Sequence, residues 1–272
     1  MSAKQGIAST LISEFRRMFG RPKALISLGI FTVAAVAMFL ISVALSDFFN
    51  SAATAELGME EDLSPLAAFP GFSLPLSILS MCFGIYAAAY SARDYNDGTV
   101  LSSLLVVPNR ARLFLSRLLP WIIVSFACSL AAFLICFLIG MGRIEDGGMG
   151  NVLGEMFLSI ISCVFSAILG FCCGTITKRG SISILLYVAL TMLLGTIIAA
   201  VGLALPESFQ FITEWIAKII PGNSFNAMTQ LCSPTVEDAE PLIGLIVSIA
   251  WAIGGSVLAF VLFKTRATLN RG

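Results

Sequence analysis

The chain has 272 residues, 58% of them hydrophobic and only 12% charged, with 16 basic and 16 acidic side chains and no histidine. A soluble domain carries roughly 25% charged residues, so a core built against water is excluded and one built against lipid is implied. The missing histidines remove histidine-ligated metal sites, Ser-His triads and histidine proton relays together, and no long basic run or finger motif points to nucleic acid.

Six long apolar runs separate seven polar stretches, and the sign of the charge alternates between those stretches. With a cytoplasmic N-terminus, the inner stretches hold 14 of the 16 Lys and Arg residues, and the outer ones hold only Arg143 and Lys218 with 13 of the 16 Asp and Glu. That is the positive-inside pattern. It predicts an all-α polytopic membrane protein with six transmembrane helices and both ends inside.

Residues 5–20 come first. Ile7, Leu11, Ile12, Phe15, Met18 and Phe19 share a helical stripe, with Lys4, Arg16, Arg17 and Arg21 beside it. A basic amphipathic helix of this kind lies in the inner leaflet interface. A plain basic anchor would look the same. A single membrane domain follows, with spans at about 24–46, 72–91, 113–141, 152–177, 181–205 and 242–263. A helix crosses the hydrocarbon core with about 20 apolar residues, and these runs supply them. The first run is too long for a leader's apolar region, so it is expected to be retained.

Between spans 1 and 2, residues 47–71 are acidic and outer. Pro75 falls in the first turn of span 2, and Pro120 is expected to kink span 3. The inner turn Lys178-Arg179-Gly180 is short enough to make spans 4 and 5 an antiparallel hairpin. In the outer stretch 206–240, Phe211, Ile212, Trp215, Ile216, Ile219 and Ile220 share a face before Pro221-Gly222 breaks the pattern. A second apolar piece follows at 225–231. Neither can span, so a re-entrant pair of half-helices dipping into the outer leaflet is expected.

Six of the seven cysteines lie in apolar runs and Cys232 stands alone outside, which leaves no disulfide framework. No Asp, Glu, Lys or Arg lies near the middle of a span. That weighs against a proton- or sodium-driven carrier and against an intramembrane hydrolase. The polar residues that remain are neutral. Ser42, Tyr86, Tyr90, Tyr187, Thr191 and Thr196 are candidates for a weakly polar substrate path, against the plainer role of bonding helix to helix. A G-x-x-x-x-G-K-[ST] loop is also missing. If transport is active, its energy enters from a partner.

The inner loop 92–112 is where such a partner could act. Asp97 can cap a helix that begins near Gly98 or Thr99. Val100, Leu101, Leu104 and Leu105 then line one face of about two turns, and Pro108 ends it. Such a helix is either a ligand for another protein's groove or a segment packed on its own span ends. The pattern leaves both open.

Asp94, Gly98, Thr99, Leu104, Leu105, Pro108 and Arg110 together resemble the first cytoplasmic loop of permease subunits of type-2 ABC exporters, with Asp where that family usually has Glu. The order of interfacial helix, spans, loop and broken outer helices is similar too. The resemblance implies a dimer with a second permease copy or homologue in membrane lipid. It implies a separate ABC ATPase subunit carrying ATP and Mg, with this chain binding no cofactor or metal and holding no catalytic residue. The loop would be the coupling helix, and spans 1, 2 and 5 would line an outward path for an amphipathic cargo such as an antibiotic, an antimicrobial peptide or a lipid. Compact loops suit a bacterial inner membrane. The alternative is a passive channel, scramblase or assembly factor. A membrane enzyme would have no general base better than Tyr or Cys.

Overall fold

The computed structural model describes residues 7–20, 22–57, 73–106, 109–140, 149–204, 211, 215–228 and 241–266. These residues are almost entirely helical, with no strand among them. The order is α1 (Ile7–Phe19), α2 (Pro22–Leu57), α3 (Ser73–Asn96), α4 (Thr99–Val106), α5 (Arg110–Gly140) and α6 (Met149–Thr177). Then α7 (Gly180–Val188) passes through a π-helical turn (Ala189–Leu193) into α8 (Leu194–Ala204), followed by α9 (Pro221–Met228) and α10 (Pro241–Arg266).

Arg110–Ile139, Leu153–Thr177, Gly180–Gly202 and Pro241–Thr265 are each long and apolar enough to cross a bilayer, and α2 carries a shorter apolar stretch, Ile26–Ile41. The fold is that of an all-α polytopic membrane protein. Ile246, Ile249, Ile253 and Val257 on α10, and Ile26, Ile30 and Val33 on α2, form exposed stripes at helical spacing. In lipid such faces need no cover. The charges end the apolar runs without ending the helices. α2 continues past residue 46 through Asp47 to Leu57, and α3 continues past residue 91 to Asn96. Pro120 lies inside α5, which runs on through it.

The centre of the bundle is a seam of small residues. A Cβ on Gly170 of α6 would stand 2.0 Å from the Gly84 carbonyl oxygen of α3, so the two backbones touch. Beside them, Ser91 Oγ donates to the Phe171 carbonyl at 3.2 Å and Ser183 Oγ to the Ala88 carbonyl at 3.1 Å. Small residues with hydroxyl bonds are how helices approach closely in lipid. They make α3, α6 and α7 one packed unit.

The α6–α7 turn closes on Lys178, at φ 59°, the conformation glycine usually supplies. Its ammonium lies over the Tyr95 ring at 5.6 Å, and Tyr95 meets Phe263 of α10 edge-on. The loop after α3, the α6–α7 turn and the end of α10 therefore gather at one end of the bundle. At the other end Pro221 opens α9 as its first residue, a position where the missing N–H costs least, so Pro221-Gly222 starts a helix where the sequence suggested only a break. Trp251 Nε1 of α10 donates to the Ile219 carbonyl at 2.7 Å, and Ser248 Oγ to Ser224 Oγ at 3.2 Å. Residues 206–210, 212–214 and 229–240 of the expected re-entrant stretch, Ile212 and Cys232 among them, lie outside the described residues.

Candidate functional site

The loop between α3 and α5 is built by its Gly-Thr pair. Gly98 sits at φ 67°, a left-handed conformation that only glycine adopts without strain, and its N–H bonds the Tyr95 carbonyl at 3.2 Å. The chain reverses there, and Thr99 Oγ1 donates back to the Asp94 carbonyl at 2.9 Å, tying the first residue of α4 to the last turn of α3. Asp97 does not cap α4. Its carboxylate takes Arg93 Nε at 3.3 Å, the partner one turn back on the same helix.

Under this turn lies a cluster of four charges. Arg117, two turns into α5, approaches Glu14 of α1 at 3.5 Å and Asp94 of α3 at 3.6 Å. Arg17 of α1 pairs with Glu14 at 3.4 Å and with Asp94 as well. The side chains of Asp94 and Arg117 are 7% and 8% exposed, those of Glu14 and Arg17 12% and 23%. Two positive and two negative groups cancel, which lets them leave water together. Burial alone would lower the Arg17 guanidinium, but Asp94 and Glu14 outweigh it and hold it above its ordinary range. Burial likewise pushes the neighbouring Tyr95 phenol up. Arg117 also reaches α4, with Nη2 donating to the Thr99 carbonyl at 3.3 Å and to Ser103 Oγ at 3.1 Å. One guanidinium thus joins α1, α3, α4 and α5.

The structure splits the apolar face expected of α4. Val100 is 4% exposed and packed in the core with Leu104 against it, whereas Leu105 is 88% exposed. The Leu101 side chain and Pro108 lie outside what is described. Arg110 turns away from α4, and its Nη1 donates to the Lys264 carbonyl at the end of α10, where a cation suits the helix dipole.

Sequence reasoning placed Asp94 here but gave Glu14 and Arg117 no role, and read Arg17 only as an interfacial charge. A signal was present. Glu14, Asp94 and Asp97 are the three acidic residues on the otherwise basic inner side, and each is in an ion pair.

The path candidates fall into two groups. Tyr86 and Tyr90 pack edge-on against Trp121 at 5.6 and 5.4 Å, with Phe31 against Tyr86. Tyr187, Thr191 and Thr196 instead line a groove of about 490 Å³ between α3, the π-helical turn and α9. Ser77, Ser80, Met81, Asn223 and Phe225 complete its polar and apolar walls, and none of the described residues that line it is charged. The groove's end is tightly fitted: a Cβ on Gly222 would lie 1.6 Å from the Thr191 carbonyl oxygen. Thr191 Oγ1 itself donates to the Tyr187 carbonyl at 2.9 Å inside the widened turn. The Ser42 side chain is outside the described residues.

A bundle of lipid-facing helices, with a charged and hydrogen-bonded loop at one end and a neutral groove towards the other, defines a membrane protein of the transport class. The chain belongs to the ABC-2 family of transporter proteins, whose family model matches residues 23–193, from α2 through the π-helical turn. No curated relative matches it. It is a membrane subunit of an ABC-type transporter.

Proposed function

We propose that this subunit is the membrane half of an exporter driven by a separate ATPase subunit that holds ATP and Mg, with α4 as the coupling helix and a second permease copy or homologue completing the path. The observation that carries this reading is the seat of α4. The helix is fixed from behind by Gly98, Thr99 and the Arg117 cluster, while one large apolar side chain, Leu105, stands bare on its free side. A bare leucine on a braced helix is what a partner's groove takes hold of. The uncharged groove at Tyr187, Thr191 and Thr196 suits an amphipathic cargo whose polar part carries no net charge. A multi-pass location in a bacterial inner membrane fits the compact loops.

The test is co-purification with the ATPase encoded beside the gene, using wild type and Leu105→Asp. Loss of the complex and of ATP-dependent flux in a variant that still folds is the expected result. A complex and flux both intact would remove α4 as the coupling helix, and flux indifferent to ATP depletion would favour a passive channel or scramblase.

A further inference from the structure

Glu155 lies inside the apolar span Leu153–Thr177 and is only 3% exposed. Four and seven residues further along α6 come Ser159 and Ser162, at 0% and 1% exposure, and eleven residues along comes Ser166 at 0%. Spacings of four, seven and eleven place all four on one face of the helix. Ser166 shows where that face points: its Oγ donates to the Ser80 carbonyl of α3 and shares a hydrogen bond with Tyr187 Oη of α7. Ser80 and Tyr187 line the groove. The hydroxyls of Ser159 and Ser162 have no hydrogen-bond partner among the described residues, although both are sealed from bulk solvent. A buried hydroxyl left without a partner is costly, and native proteins usually meet that cost with ordered water.

Geometry decides what kind of ligand fits. Seven residues of helix cover about 10 Å, so one ion with a coordination radius of about 2.5 Å cannot touch both ends of the seam. Water molecules bonded about 2.8 Å apart can. The seam is also blind. Beyond Ser166 the same face carries Leu169 and Cys173, 3% and 2% exposed, and Gly170, which lies against the Gly84 backbone. Eleven residues from Glu155 to Ser166 make about 16 Å, roughly half of a 30 Å hydrocarbon core.

We propose that Glu155, Ser159 and Ser162 hold a file of water molecules reaching Tyr187, a half-channel that wets the groove from the end away from α4. Water entering along it fills the polar wall of the groove when cargo leaves, and the glycine contact below keeps the membrane sealed.

The test is hydroxyl-radical footprinting of the full chain in lipid nanodiscs, comparing Tyr187 with Phe39, each 1% exposed. Radicals form where water is, so Tyr187 is expected to be oxidised several-fold faster than Phe39 despite equal burial. In the Ser159→Ala/Ser162→Ala variant its rate should fall towards that of Phe39 and the melting temperature should drop. Equal rates for Tyr187 and Phe39 in the wild type would overturn the proposal without any variant. So would a variant that melts higher, since a dry seam gains by losing two unpartnered hydroxyls.

Discussion

Replacing Asp94 with Asn tests the charge cluster directly. The side chain keeps its size, and the backbone carbonyl that accepts Thr99 Oγ1 is untouched, so only the negative charge between Arg17 and Arg117 is lost. Glu14 is then left to balance two guanidiniums in a site whose most exposed member is 23% accessible. Breaking a buried pair by removing one partner costs about 3–5 kcal/mol. Arg17 keeps some contact with water, so the low end applies, about 3 kcal/mol. At about 2–4 °C per kcal/mol for a chain of this size, the melting temperature should fall by about 6–12 °C. Arg17→Gln in the same chain restores neutrality and should return much of that loss, and a double-mutant cycle would read the pair's coupling at about 0.5–3 kcal/mol. Thermal unfolding in nanodiscs, with flux measured on the same samples, is the assay. A loss below about 1 kcal/mol, the scale of an exposed pair, or no recovery in the double variant, would show that water already screens the cluster and that it braces nothing.

Three further outcomes follow from single positions. Gly98→Ala should cost about 1–2 kcal/mol from backbone conformation alone, since a Cβ there meets nothing within 4 Å, and thermal melting of this variant checks it. Gly170→Ala should cost at least about 3 kcal/mol because its Cβ would drive into the Gly84 carbonyl, whereas Gly254→Ala on α10, with open space around it, should be neutral or stabilising by up to about 1 kcal/mol; parallel melts separate the two. Leu105→Asp should change stability by no more than about 0.5 kcal/mol, whereas Val100→Asp, which buries a carboxylate in the core, should destabilise the chain severely or prevent its purification.

Charge sorting and run length made the helical membrane architecture legible, because both report the same physics, the cost of placing charge or bare backbone in lipid. The partners of each helix were not legible. In water an apolar stripe marks the buried face, but in lipid it faces either way. Of the single stripe read on α1, Met18 is 3% exposed and Ile12 53%. Leu104 and Leu105 look equivalent in sequence, yet one packs on the bundle and the other stands free. The Asp97 cap failed for a local reason. Arg93 stands four residues back on a finished helix turn, and Gly98 carries the reversal without help from a side chain. Glu14, Arg17 and Arg117 come from two helices about a hundred residues apart, a convergence no local pattern contains.

α3 links the two sites. It carries Asp94 of the charge cluster near one end and Ser77 of the groove near the other, seventeen residues or about 25 Å apart on one uninterrupted helix. Its contacts with α6 are backbone to backbone at Gly84 and Gly170, which cannot slide without a clash, so α3 and α6 move as one. The facing wall of the groove is different, since it hangs on the π-helical turn Ala189–Leu193, where hydrogen bonding is already irregular and a helix bends at least cost. Under the proposed drive, a push at Leu105 would therefore tilt the rigid wall as a body and be absorbed in the soft one. The groove would change shape at Thr191 and Gly222 while the glycine seam stayed shut. Cross-linking should reflect this: a Ser80→Cys/Ser166→Cys pair at the seam, where Ser166 Oγ already meets the Ser80 carbonyl, should react equally under every nucleotide condition, whereas a Thr191→Cys/Asn223→Cys pair across the groove should change rate when ATP binds. A seam pair whose rate changes with nucleotide would mean that α3 and α6 slide past each other, and the rigid-wall account would fail.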